Sequence, residues 1–438
     1  MIEDAGGWLS APLQTSRLIR DPLAMMRGLA ARHGATFRLT LLDGPSVVTG
    51  DPAFIGEIYA GDPGLFDAPN EIVAPLVGEG SIVLANGARH KRKRKMMAPP
   101  FHGARMRAYG RTIAEATLRG LDGLVAGDAV DVMAITQQLS LEVILRAAFG
   151  VTEASRVAAL RRAITSAVAG FPAWLMFLPP LQRPFGGVGP WARYQESVAA
   201  LERLLLEEIA RARAAPEGSR EDVLTLLLSA RDEDGQPMPD DELVDELRTL
   251  VIAGHETTAT TLAWALWELH RHPAVLARLV DALAALGDAP APEAFAQAPL
   301  LAATCDEALR MHPIVPIFRR RVTRDAHVAG HDLRAGTLLS PAVLITHYDA
   351  AIFAEPDTFR PERFLERKYG TSEFMPFGGG NRRCVGAAFA NYELQIALGT
   401  WLTRHRFVAA SRAPLRLVMN GVTTRPNGPV MLRYEGRV

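Results

Sequence analysis

Along most of this chain apolar residues recur at three- and four-residue spacing with charges on the opposite side, a period that predicts helices. Residues 113–124, 140–149, 154–169, 191–214 and 385–404 all carry it. Strand-like alternation is scarcer and falls in three places. Residues 36–49 hold two runs around Asp43-Gly44, a hairpin signal. Residues 322–339 form a second such region around Gly330 and Gly336, and 415–434 reads as a third hairpin around NGVTTRPNGP. Helices with a smaller, segregated β portion predict a mainly α, α+β fold.

One helix stands out by length. Residues 241–272 have acids at the start and His-Arg-His-Pro at the end, good start and stop signals. At 1.5 Å per residue the helix runs about 45 Å, enough to cross the molecule. Its middle is odd: Ala253-Gly254, then Glu256, then four threonines within 257–261. Glycine and threonine are poor helix-interior residues, so something other than propensity selected them.

Composition narrows the class. The 438 residues are 48% hydrophobic and 22% charged, a globular mixture, and no linker or repeat interrupts them, so residues 1–438 read as one unit. Lys plus Arg balance Asp plus Glu at 48 each, which argues against a nucleic-acid binder. Two cysteines make no disulfide framework and fit a reducing cytoplasm. The opening MIEDAGGWLSAPLQTSRLIRDP lacks the basic start and apolar run of a signal peptide or membrane span. The apolar run at 171–181, FPAWLMFLPPL, is too short and proline-rich to cross a bilayer and reads as a greasy loop.

One of the two cysteines, Cys384, lies in FMPFGGGNRRCVGAAFA, residues 374–390. A thiolate needs positive potential, and this thiol immediately precedes the predicted helix 385–404, at the positive end of its dipole. Gly378, Gly379 and Gly380 allow a tight backbone with N–H groups aimed at the sulfur, while Gly386 admits a flat group. Arg382 and Arg383 add positive charge. A single cysteine makes neither a zinc site nor an iron–sulfur cluster, but suits haem; a structural cysteine in a glycine-rich turn is the plain alternative. Phe377, Gly380, Arg382, Cys384 and Gly386 fill the pattern F-x-x-G-x-R-x-C-x-G. This segment resembles the haem-binding loop of the cytochrome P-450 superfamily, and the resemblance extends over nearly the whole chain.

The resemblance implies a cytochrome P-450 fold with the long central helix over haem b, iron protoporphyrin IX, and Cys384 as its axial ligand. Phe377, Gly378, Ala253 and Gly386 lie in the haem-binding set. His90 and Arg94, four apart within the basic run 90–95, share a helix face and hold a propionate together with Arg320 and Arg382. Arg319 or Arg321 is one register away from Arg320. Lys91, Arg92, Lys93 and Lys95 then remain to dock an acidic electron donor, or simply to be solvated. Glu307, Arg310 and Arg363 form a structural ion-pair set.

In AGHETT, residues 253–258, the small Ala253 and Gly254 leave room above the iron. The Thr257 hydroxyl bonds back to the Ala253 carbonyl and locally opens the helix, with Glu256 beside it as proton source. Oxygen-using monooxygenases of the family keep this acid–alcohol pair. Val73, Leu76, Val77, Ile82, Leu84, Leu250, Ala253, Val315, Ile317, Phe318 and Val422 are expected on the substrate walls, an apolar set suited to a greasy ligand. The expectation is a monooxygenase acting with O2 on a hydrophobic small molecule, fatty acids first and terpenoids or drug-like compounds second. Electrons come from a separate ferredoxin or flavodoxin with its reductase. A peroxide-driven enzyme and a haem-based sensor are the rivals.

Overall fold

The longest element, Asp240–Arg271, is one unbroken α-helix of 32 residues. Asp240, Asp241 and Glu242 occupy its first turn and His270 and Arg271 its last, so side-chain charge opposes the helix dipole at both ends. Five of its threonines are satisfied in the same way. Thr249, Thr257, Thr258, Thr260 and Thr261 each donate a hydroxyl to the carbonyl four residues earlier, at 2.7, 2.7, 3.0, 2.8 and 3.0 Å. A carbonyl has two lone pairs, so these bonds add to the backbone ladder without displacing it. The helix expected to open locally at Thr257 runs unbroken from Asp240 to Arg271.

The computed structural model describes residues 2–61, 64–101, 105–176, 179–184, 186–216, 218–220, 222–411 and 413–438. Around the central helix lie Val132–Phe149, Pro299–Met311 and Ala387–Arg404, all in contact with it. Asp131 caps Val132–Phe149 by accepting the Met133 N–H at 3.1 Å, so this helix starts eight residues before the apolar period at 140. It is long and apolar enough to span a membrane, but most of it is buried inside the protein. Arg105–Leu121 stops short of the expected 124, because Gly123 turns the chain at φ 83°. Within 171–181 the chain forms two short turns of helix, Ala173–Met176 and Pro179–Leu181, with residues 177–178 outside those described.

Among the described residues the β portion divides into four sheets. The largest has six strands, in the order Glu3–Asp4, Thr36–Leu41, Gly44–Thr49, Leu338–Pro341, Arg320–Val322 and Phe66–Asp67. Thr36 pairs with Thr49 and Leu41 with Gly44, so the first hairpin is present. Its turn is Leu42-Asp43, one residue earlier than expected, and Gly44 at φ 120° begins the return strand. The 322–339 region pairs Ala326–Val328 with His331–Leu333 across Ala329-Gly330, both at positive φ as a tight hairpin requires.

The tail differs from the single hairpin expected. Leu417–Asn420 pairs with Thr423–Pro426, but Met431–Arg437 leaves to join His405–Ala409 and Ala129–Asp131. Alternation fixes which face of a strand is buried but not its partner, so the two hydrophobic runs were indistinguishable.

Candidate active site

Cys384 sits three residues before Ala387–Arg404, whose N-cap is Gly386, so the sulfur lies ahead of the first helical turn instead of inside it. The backbone N–H facing the sulfur is that of Gly386. It does the work expected of the Gly378–Gly380 N–H groups. Gly378 and Gly380, at φ 64° and 59°, do give the tight backbone expected of them, and Gly379 and Gly380 also make room for Tyr59. A Cβ on Gly379 would stand 2.2 Å from the Tyr59 ring, and one on Gly380 would stand 2.6 Å from the Tyr59 carbonyl oxygen. The loop is closed by the Cys384 N–H donating to the Phe377 carbonyl at 2.9 Å and the Gly378 N–H donating to Met375 at 3.1 Å.

Cys384 is solvent-accessible, yet burial is the largest influence on its thiol and pushes it up, against the Gly386 N–H, Arg383 and Arg94, which act in the opposite direction. The two facts agree if the residue lies on the wall of a deep recess and not on the outer surface. A protonated thiol of this kind loses its proton on metal binding.

His90, Arg94, Arg320 and Arg382 converge beside this loop. His90 is buried, and its pKa is lowered to about 4 by burial and then by Arg382, Arg94 and Arg320, so its imidazole is neutral. Arg94 donates to the Arg383 carbonyl at 2.6 Å. Arg382 reaches the Ala85 carbonyl at 2.5 Å, and burial lowers it to about 10. Arg320 donates to the Arg319 carbonyl at 2.7 Å.

The flanking arginines have carboxylate partners of their own. Arg319 pairs with Asp43 at 2.6 Å and Arg321 with Glu71 at 3.3 Å, whereas none of Arg94, Arg320 and Arg382 forms an ion pair among the described residues. Desolvation is the largest influence on all three guanidinium groups, and none has a carboxylate within ion-pair distance among the described residues, although Asp67 acts on Arg382 from further off. A ligand bearing two carboxylates offsets that desolvation cost. The donor set therefore fits haem propionates.

On the central helix, Ala253 is exposed while Val251 and His255 are buried. The Thr257 hydroxyl donates to the Ala253 carbonyl at 2.7 Å, leaving its oxygen lone pairs as acceptors. Glu256 is half-buried, and its Oε1 accepts the side-chain amide of Asn420 at 3.1 Å. The cytochrome P450 family model matches residues 8–433 of this chain.

The chain belongs to the cytochrome P450 family. Among its relatives, cytochrome P450 135B1 of Mycobacterium tuberculosis is 36% identical over 98% of this chain and 91% of the relative. Cytochrome P450 138 of Mycobacterium bovis is 34% identical over 92% and 90% of the two chains. Cytochrome P450 135A1 of Mycobacterium tuberculosis is 33% identical over 88% and 84%. As a P450 the chain is a mainly α haem-thiolate monooxygenase that binds haem b through a cysteine thiolate.

In this P450 the basic run is mostly spent internally. Lys93 is fully buried, with its Nζ 3.1 Å from Glu246 and 2.9 Å from Glu242. Arg92 pairs with Asp232 at 3.2 Å and Glu242 at 2.6 Å, and Lys95 with Glu233 at 3.4 Å. Lys93 is thus neither solvated nor a spare charge for a redox partner, while Arg92 and Lys95 meet acidic neighbours nearer the surface. The partners are Glu242 and Glu246 in the first turns of the central helix and Asp232 and Glu233 in the loop before it.

The expected wall residues do not form one cluster. Val73 and Leu76 pack with Phe171, Leu175, Met176 and Tyr194. Ile82 and Leu250 join the main core, Val77 is buried, and Leu84 and Val315 are half-buried. Ile317 packs with the N-terminal core, Phe318 packs on Ile55, Val343 and Met375, and Val422 is exposed at a hairpin turn. Pattern reading missed Tyr59, Asn420 and His347, which act through the glycine loop, Glu256 and Met375 respectively. Asn420-Gly421 was legible only as a turn signal, and nothing local marks the other two.

Proposed function

We propose that this P450 inserts one oxygen atom of O2 into a C–H bond of a hydrophobic small molecule, with fatty acids of medium to long chain as the first substrate class. Terpenoids and drug-like compounds come second. The apolar grouping of Val73 and Leu76 with Phe171, Leu175 and Met176 supports a greasy ligand with few polar anchors. Residues 1–438 act as one catalytic unit in the cytoplasm; the family match over 8–433 and two free cysteines support this reading. Electrons arrive from a separate ferredoxin or flavodoxin with its reductase.

Haem b, when bound, supplies the chemistry that activates O2. Cys384 holds it, with the sulfur fixed by the Gly386 N–H and the loop fixed by Phe377. His90, Arg94, Arg320 and Arg382 hold its propionates through charge-assisted hydrogen bonds. Ala253, lacking a side chain beyond Cβ, leaves open space on the central helix. Thr257 presents an acceptor oxygen into that space, and Glu256 next to it takes protons from solvent and releases them towards it.

The observation that carries this reading is the pairing of exposed Ala253 with the Thr257 hydroxyl held on its carbonyl at 2.7 Å. Thr257→Ala tests it. With O2 and a surrogate ferredoxin system, the variant should keep its carbon monoxide spectrum and substrate-induced shift while diverting electrons to peroxide. Unchanged coupling removes Thr257 from the proton path, and turnover with peroxide alone marks the peroxide-driven alternative.

A further inference from the structure

We infer that Asn420 is a positioning residue for proton delivery: its side-chain amide sets the orientation of the Glu256 carboxylate. The inference rests on the reading of Glu256 as a proton carrier.

Glu256 forms no ion pair with an arginine, lysine or histidine among the described residues, and its one side-chain hydrogen bond there is the Asn420 amide on Oε1 at 3.1 Å. The choice of partner has a chemical consequence. A cation at that distance would favour the ionised carboxylate strongly and oppose the uptake of a proton. An amide is neutral: it fixes the direction of Oε1 while leaving Oε2 free to take and give a proton.

The amide itself sits on a rigid mount. Asn420 ends the strand Leu417–Asn420 and pairs with Thr423 across the turn Gly421-Val422. The Thr423 hydroxyl donates to the Asn420 carbonyl at 3.0 Å. One residue on, the Thr424 N–H donates to the Ile314 carbonyl and the Thr424 hydroxyl to the Pro313 carbonyl, each at 2.8 Å. Together these tie the hairpin to the segment that follows the helix Pro299–Met311.

The other side of the turn faces the expected substrate wall. A Cβ on Gly421 would lie 3.3 Å from the Met176 methyl group, and Met176 packs with Leu175, Val73 and Leu76. The hairpin tip thus touches both the apolar wall and the acid.

The test uses the haem-loaded, reduced, carbon monoxide-bound protein with 13C in the glutamate side-chain carboxyls, the Glu256 resonance being the one lost in Glu256→Gln. Asn420→Asp keeps the shape but sets a second carboxylate against Oε1, and should raise the Glu256 pKa by about one unit or more. Asn420→Ala should raise the share of electrons lost to peroxide, by up to about tenfold, at unchanged substrate spectral shift and unchanged carbon monoxide band. A Glu256 titration identical in wild type, Asn420→Asp and Asn420→Ala overturns the inference. If Glu256→Gln uncouples turnover while neither Asn420 variant alters titration or coupling, the inference falls and the proton-carrier reading stands. If Asn420→Ala shifts the titration but Glu256→Gln leaves coupling intact, the Asn420 amide does act on Glu256 and the carrier reading is what fails.

Discussion

His347 accepts the backbone N–H of Met375 through Nε2 at 3.0 Å while its Nδ1–H donates to the Arg310 carbonyl at 3.0 Å. Those two partners fix the neutral tautomer, and burial keeps it neutral by lowering the pKa to about 3. Met375 lies two residues before Phe377, whose carbonyl receives the Cys384 N–H. A fully buried imidazole therefore connects the ion-pair cluster of Glu307, Arg310 and Arg363 to the loop that carries Cys384.

His347→Ala leaves the Met375 N–H without a partner and opens a cavity, and should cost about 3 kcal/mol in urea unfolding. Haem retention should fall with it. His347→Gln keeps an acceptor and should recover part of both. Retention equal to wild type in His347→Ala would detach the imidazole from the loop.

Glu307 accepts from Arg310 at 2.8 and 2.9 Å, from Arg363 at 3.1 Å and from the Arg360 N–H at 2.9 Å, in full burial. Glu307→Gln strands two guanidinium charges in the interior and should destabilise the protein by about 3–5 kcal/mol. Thermal unfolding of the purified variant checks this, and a loss below about 1 kcal/mol contradicts it.

The glycine loop allows a sharper test, because its two clashes differ in kind. Gly379→Ala meets the Tyr59 ring, whereas Gly380→Ala meets the Tyr59 backbone and also needs φ 59°. Trimming the ring with Tyr59→Ala should restore much of the haem binding lost in Gly379→Ala and none of that lost in Gly380→Ala. Equal rescue of both glycines would show that the ring is not the obstacle.

Glu246 gives a pH dependence of definite sign. Burial, the largest cause, raises its pKa from 4.5 to about 7 despite Lys93 beside it. The folded protein therefore holds this proton more tightly than the unfolded chain. Its contribution to stability is fully present below pH 4.5 and is lost as pH rises through 7. Between pH 5 and 8 wild type should lose about 2 kcal/mol more than Glu246→Gln. Parallel curves for the two proteins would assign the slope to other groups.

How much of this was legible in the sequence follows from the range of each signal. The central helix was readable to within a residue because acids at one end and His-Arg at the other mark it locally. For the arginine register the resemblance pointed to Arg320, whereas the pairing of Arg319 with Asp43 and Arg321 with Glu71, both partners more than 200 positions away, was not readable from the sequence. Lys93 read as one of six exposed basics because its burial depends on Glu242 and Glu246 from another helix. The tail strand Met431–Arg437 was misassigned for a related reason, since a strand's partner is a long-range choice.

The central claim is that sulfur from Cys384 binds the haem iron, and the reduced carbon monoxide difference spectrum tests it most directly. Wild-type protein should show the long-wavelength band of a thiolate-ligated haem, and Cys384→Ala should lose it while Cys305→Ala keeps it. A Cys384→Ala protein that retains the band, or a wild type whose spectrum is that of nitrogen-ligated haem, would contradict the account.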